Sequence, residues 1–302
     1  MARAHIGISG WRYEPWRKVF YPEELRQADE LHYASRALSS IEINGSFYAL
    51  QTPDRYADWY ASTPNDFIFS VKAPRFITHI RRLRDIDGPL ANFFASGLFE
   101  LKEKLGPLLW QFPPSFQFDA ELFESFLAKL PRDLNAARTI AEHHDSHLRS
   151  KPDLDVPHNH RMRHAIEIRH QSFATPEFIA LLRKYHVALV VADTAGKWPH
   201  LEDLSAPFVY VRLHGAEKLY ASGYTDTALD DWAARIKAWT SGHKAVDGPR
   251  VAEPATDSAR EVFCYFDNDI KVRAPFDAQR LMQRLDQPIR QPAGEPLPAA
   301  AQ

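Results

Sequence analysis

Eight short apolar runs, each followed by a stretch of helical period, constrain this chain more than any other feature. The runs are 5–11, 40–47, 66–72, 107–112, 164–170, 188–193, 208–214 and 262–267. Between and after them lie amphipathic stretches at 29–38, 53–61, 89–104, 120–130, 175–185, 228–240 and 276–285. Strands alternating with helices are the pattern of βαβ units and of a parallel sheet. Eight repeats predict closure into a single (β/α)8 TIM barrel, an α/β fold, with loop insertions. An open doubly wound sheet is the alternative. Its glycine-rich GxGxxG turn is missing after the first strand, and with it any nucleotide cofactor motif. A barrel of this kind takes about 250 residues, so 302 residues suit one domain with insertions.

Three segments stand outside the alternation. Residues 131–163 are polar and contain His143, His144, His147, His158 and His160. Residues 242–260 are rich in Pro, Ala, Asp and Gly and read as a loop before the last strand. Residues 287–302 carry Pro and Ala without periodicity, the composition of a disordered tail. The domain is therefore placed at 1–286.

Successive side chains of a strand face opposite sides, which sorts the barrel's residues. Ile166 and Ile168 face the helices, leaving Glu167 and Arg169 toward the axis. Val209, Val211 and Leu213 face outward, with Tyr210, Arg212 and His214 inside. The second strand turns Glu42, Asn44 and Ser46 inward, and the third Ser70 and Lys72. Gln111, Asp193, Tyr265 and Asp267 complete the inward set. An ordinary barrel interior is filled by branched apolar side chains, and active sites form at the C-terminal strand ends. Most of these inward charges lie late in their strands, which predicts a site there. The competing reading is a structural network of Glu167–Arg169 and Asp193–Arg212 pairs.

Charge excludes some partners. Lys plus Arg number 37 and Asp plus Glu 39, a formal net charge of -2. Such a chain has no overall electrostatic footprint for nucleic acid or an anionic membrane. The basic stretch from Arg75 to Arg84 reads as solvated surface. The single cysteine, Cys264, sits in an apolar run, excludes an intrachain disulfide and reads as buried. No stretch reaches the ~18 apolar residues of a membrane span, and no signal-peptide h-region precedes the first strand. The expected location is the cytoplasm.

A series of segments spanning nearly the whole chain resembles the DUF72 (YecE-like) family. They are GISGW (7–11) with FYP (20–22), IEINGSFY (41–48), VKAPRFITHIRRL (71–83), LGPLLWQFPP (105–114), IEIRHQSF (166–173), YVRLHG (210–215) and CYFDND (264–269). Each is weak alone; in this order they are specific. The resemblance implies a TIM-like barrel and brings no established activity. Gly45 stands where Ser or Thr is expected, Phe173 where Trp is usual, and Asp267 where many relatives carry Asn. The histidine-rich segment matches no motif of the family.

The candidate chemistry divides by charge. Lys72, Arg169 and Arg212 are cations suited to a phosphate or carboxylate, Arg through bidentate contact. Glu42, Glu167, Asp193 and Asp267 are candidate general acids or bases, and His214 can move protons near neutral pH. Trp11 and Tyr48 could stack on a ligand, while Asn44, His79, Gln111 and Asn268 are candidate substrate contacts. The cofactor is undetermined. A divalent metal, if bound, would take Glu167, Asp193, His214 and Asp267, the ligand types of metal-dependent sugar isomerase barrels. The expected function is acid/base chemistry on a small polar, anionic substrate such as a sugar phosphate or sugar acid, as an isomerase, hydrolase or lyase. A non-catalytic anion-binding or regulatory barrel is the alternative. In the histidine-rich segment, His143 and His147 would share a face if helical, although Pro152 and Pro157 disfavour one continuous helix.

Overall fold

Parity along the strands decides what fills this molecule. Ile6, Ile8, Ile41, Ile43, Phe69, Val71, Val209, Val211 and Cys264 point outward into one large apolar core beneath the helices. Leu109, Ala165, Ala188, Val190, Ala192, Phe208 and Phe263 point inward and plug the barrel. In the computed structural model, which describes residues 2–243 and 248–289, the strands are β1 (Ala4–Ser9), β2 (Ser40–Ile43), β3 (Ile68–Lys72), β4 (Leu105–Gln111), β5 (His164–Glu167), β6 (Ala188–Asp193), β7 (Phe208–Leu213) and β8 (Glu261–Phe266). They form a closed barrel in sequence order, every pair parallel, with β8 returning to β1. The open sheet is excluded.

The helices are α1 (Glu30–Ala37), α2 (Gly45–Tyr48), α3 (Pro53–Ser62), α4 (Asp87–Ala95), α5 (Ala120–Lys129), α6 (Leu134–Ala141), α7 (Pro176–Lys184), α8 (Asp226–Ser241) and α9 (Arg273–Arg284). Their starts are local. Thr52, Asp119, Thr175 and Thr225 each accept a hydrogen bond from the backbone N–H three residues on, before α3, α5, α7 and α8. Such caps satisfy donors the first helical turn leaves open. Among the described residues no helix is long and apolar enough to cross a membrane.

Three expectations are corrected. The helix expected over 89–104 is broken at Gly97, whose φ of 113° no other residue adopts comfortably. A Cβ there would lie 2.5 Å from Pro53 Cα, so close approach to α3 requires glycine. The strand expected over 40–47 ends at Ile43, and the chain turns into α2, where Ser46 Oγ donates to the Lys72 carbonyl (2.7 Å). The segment 131–163, outside the strand–helix alternation, nevertheless holds a helix. Asp133 caps α6, which buries Leu134, Ala137 and Ala141. Because α6 ends at Ala141, His143 and His147 do not share a helical face; they bond the Thr139 carbonyl and Asp145 instead.

Residues 290–302 of the expected tail and 244–247 of the expected loop lie outside the described residues. The rest of that loop is tethered: Asp203 accepts from Val251 N and Ala252 N, both at 3.0 Å.

Candidate functional site

Inward parity on β7 brings Arg212 above Tyr210, on the axis and fully buried. Its Nε (3.1 Å) and Nη2 (2.9 Å) engage the two oxygens of Glu42 on β2. Nη1 donates to Glu167 on β5 (2.6 Å), and Nη2 also reaches Ser9 Oγ on β1 (2.9 Å) and Asp267 after β8 (3.0 Å). Three carboxylates thus share one guanidinium. Burial alone would lower the Arg212 pKa, but Glu42, Asp267 and Glu167 together hold it well above its ordinary value.

The carboxylates are satisfied in turn. Glu42 also accepts from Tyr210 OH (2.6 Å) and from Ser9 Oγ. Glu167 accepts from Gln111 Nε2 (2.9 Å to each oxygen) and Arg169 Nε (2.9 Å). Burial pushes the Glu167 carboxyl up, but Arg212, Arg169, His214 and Lys72 outweigh it and leave the pKa well below the usual range. Asp267 is held low in the same way, against its burial, by Arg212 and His214. Below this layer Ser40 and Ser70 both bond the Tyr265 hydroxyl at 2.7 Å.

His214 is fully buried, its ring edge-on to Tyr220 (5.4 Å) and Trp198 (6.4 Å). Arg212 Nη1 lies 3.4 Å from Nε2 and can only donate, which assigns the His214 proton to Nδ1. That nitrogen faces Asp267 Oδ2 at 2.9 Å.

Above the hub, at what we call the mouth, Arg169, Trp198, Tyr220 and His79 are half-buried and Lys72 is buried. The Arg169 guanidinium lies 3.8 Å from the centre of the Trp198 ring and 3.3 Å from Tyr220 OH, with its side chain 12% exposed. Lys72 Nζ sits 4.3 Å over the Phe47 ring, and among the described residues it has no ion-pair partner. Burial and then Arg212 lower its pKa to about 8. His79, on a single π-turn after β3, meets Phe47 edge-on (5.1 Å) and bonds Thr78 Oγ1. Burial, with Lys72, Arg169 and Arg75, lowers its pKa to about 4, so it is neutral at pH 7.

The structure gathers Glu42, Lys72, Gln111, Glu167, Arg169, Arg212, His214 and Asp267, with His79 beside Lys72. Asp193 and Asn268, both candidate site residues, lie elsewhere. Asp193 has the parity of Leu189 and Val191 and accepts from Tyr224 OH (3.0 Å) rather than pairing with Arg212. Asn268 Nδ2 donates to Asp277 on α9 (2.9 Å) and to the Ser222 carbonyl (3.0 Å). Both shape the loop that carries Tyr220. Asp193→Ala is accordingly expected to cost about 1 kcal/mol of stability and to leave anion binding at the mouth unchanged. Calorimetry showing lost binding would return Asp193 to the site.

Arg212 is also corrected as a substrate clamp, because every side-chain nitrogen of this buried group already has a protein partner. The conditional metal set of Glu167, Asp193, His214 and Asp267 does not converge, since Asp193 is apart and Arg212 occupies the space between the carboxylates. Among the described residues no three His, Cys, Asp or Glu side chains are grouped to hold a metal. Trp11 and Asn44 lie in a neighbouring cleft of about 300 Å³. Tyr48, 73% exposed, rims another of about 460 Å³ with Phe76 and His147.

Sequence reasoning missed Ser9, Phe47, Trp198, Tyr220 and Asp269. Burial and the neighbouring Asp267 push the Asp269 carboxyl up to about 6. Its spacing of two from Asp267 was the available signal; Trp198 and Tyr220 come from loops that no strand parity reaches.

Comparison with known proteins gives a consistent picture. The family profile described as "Protein of unknown function DUF72" matches residues 5–302. The UPF0759 protein YecE of Escherichia coli (strain K12) is 27% identical over 132 residues, covering 43% of this chain and 46% of that protein. The UPF0759 protein YunF of Bacillus subtilis (strain 168) is 30% identical over 122 residues, covering 39% and 42%. The chain thus spans about half the length of the curated relatives it matches. Among solved structures, a DUF72 family protein from Thermotoga maritima MSB8 superimposes with a TM-score of 0.71 at 22% identity, covering 94% of this chain and 100% of that one. One from Enterococcus faecalis V583 gives 0.68 at 18%, covering 94% and 96%. At these identities the likeness concerns the fold.

Proposed function

This chain belongs to the DUF72 family, and from that premise we propose that its barrel mouth is an enzyme site for a small, polar, anionic substrate. The family supplies a fold and no reaction, so the reading rests on the residues. A sugar phosphate or sugar acid is the substrate class, and isomerase, hydrolase and lyase chemistry all suit the groups present. The observation that carries the proposal is Lys72: a buried ammonium with no ion-pair partner among the described residues, which acts with Arg169 on both Glu167 and His79. Glu42, Glu167 and Asp267 offset its burial only from a distance; a buried charge without a direct partner is costly, and a bound anion would compensate it.

The roles follow from access. Lys72 and Arg169 hold the anionic group, with His79, neutral at pH 7, beside them. Asp267 and His214 carry the proton. Glu42, Glu167, Gln111 and Arg212 fix their geometry rather than touch substrate. The same proposal takes residues 1–286 as one domain, the cytoplasm as the compartment and nucleic acid as no partner.

A second reading, an anion-binding barrel without turnover, is favoured by the full burial of His214 beneath Trp198 and Tyr220. Calorimetry with phosphorylated and carboxylated sugars, followed by mass spectrometry of each bound compound in D2O, separates the two. Turnover or solvent deuterium incorporation, slowed roughly 10²–10⁴-fold by His214→Gln with binding retained, supports the enzyme. Binding with neither supports the second reading. If no anion binds, both fall.

A further inference from the structure

The cleft that holds Trp11 lies between the turn after β1 and the face of α3, beside the mouth. Arg12 and Arg55 line it, as do Trp11, Trp59 and Asn44, and no carboxylate does. Arg55 Nη1 donates to Gln51 (3.0 Å). Among the described residues neither arginine makes an ion pair, so both guanidiniums keep donors for a ligand.

Two further groups are left over. Trp11 is only 6% exposed, yet its indole N–H has no hydrogen-bond partner. Asn44 gives its Nδ2 to Ser9 Oγ (2.7 Å) and leaves a buried Oδ1 without a partner. Buried polar groups are nearly always paired, and an exception asks for an occupant. One orphan donates and the other accepts. A hydroxyl can answer both, accepting from the indole and donating to the amide oxygen. The indoles of Trp11 and Trp59, edge to face at 5.3 Å, give the cleft an aromatic wall for the C–H face of a ring.

We propose that this cleft is a second binding site, for a phosphorylated or carboxylated sugar. Its anionic group sits on Arg12 and Arg55, and a hydroxyl bridges Trp11 Nε1 and Asn44 Oδ1. The site shares no residue with the Lys72–Arg169 mouth, so it stands whether or not that mouth has turnover.

The test is titration of the full chain with ribose 5-phosphate, ribose and inorganic phosphate, followed by calorimetry and tryptophan fluorescence. Working in Lys72→Met weakens the mouth as an anion site. Ribose 5-phosphate is expected to bind there still, and Arg12→Met and Arg55→Met to weaken it roughly tenfold or more each. Trp11→Phe keeps the ring, removes the donor, and should weaken ribose 5-phosphate more than inorganic phosphate. Its thermal stability should be unchanged or higher, because no protein contact is lost. Binding abolished by Lys72→Met alone would move the anion to the mouth and overturn the assignment. Insensitivity to both arginines would overturn it, as would equal effects of Trp11→Phe on the two phosphates. No binding up to ~10 mM, far weaker than a specific anion site, would leave water as the occupant and end the proposal.

Discussion

Arg212→Ala is expected to lower the unfolding free energy by about 3–5 kcal/mol at pH 7, the effect of breaking a buried ion cluster by removing one partner. The variant strands Glu42, Glu167 and Asp267 together without their shared cation. The pH dependence gives the loss a signature. In the wild type the Glu167 and Asp267 carboxyls are held below their unfolded values. They therefore contribute stability that is present above the unfolded pKa of about 4 and lost as pH falls through the lower folded values. Without Arg212 the main cationic influence is gone, and burial drives these pKa values up. The variant's carboxyls then take up protons at higher pH in the folded state, so its deficit should narrow as pH falls from 7 toward 4. Urea melts across that range measure both quantities. A loss below about 1 kcal/mol, the scale of an exposed pair, would mean that the hub is not the buried cluster described.

Lys72→Met should act in the opposite sense on stability and strongly on binding. Removing a buried ammonium without an ion-pair partner relieves a desolvation cost while the apolar stem is retained. Stability at pH 7 is thus expected to be equal or higher. The folded pKa of about 8 lies below the unfolded value near 10.4. Between those limits the unfolded chain binds more protons, so wild-type stability rises with pH. The variant lacks this rise, and its advantage should close between pH 8 and 10.4. Anion affinity at the mouth should fall roughly 10–100-fold, the range of one charge-assisted contact. Differential scanning calorimetry and titration read the two effects separately. Unchanged affinity would remove Lys72 from the site and with it the argument for an anionic substrate.

Much of the fold was legible because β2, β5 and β7 alternate cleanly. Ile41 and Ile43 against Glu42 set one parity, and Val209 and Val211 against Tyr210 and Arg212 set another. Strand β6 reads ALVVAD, apolar on both faces, so hydrophobicity could not say which face Asp193 takes. The small residues Ala188, Val190 and Ala192 in fact point inward, and parity then turns Asp193 away. Asn268 lies past the end of β8, where alternation no longer governs direction. The sharing of one guanidinium by three carboxylates depends on barrel closure, which brings β2, β5 and β8 to β7 and leaves no mark in any local stretch. That is why Arg212 read as a ligand contact and proved to be a hub. Charge placement was visible in one dimension; charge compensation was not.

Arg212 meets Ser9 across 203 residues of chain, Glu42 across 170, Asp267 across 55 and Glu167 across 45. Contacts this distant in sequence carry a large loop-closure entropy and consolidate late. They also have no reason to form early, since the charges gain from one another only after the strands around them exclude water. The hub therefore acts as a latch on an assembled barrel rather than as a seed for it. Its energy belongs to the escape rate: in stopped-flow measurements the Arg212→Ala deficit should fall on the unfolding limb and leave refolding nearly untouched.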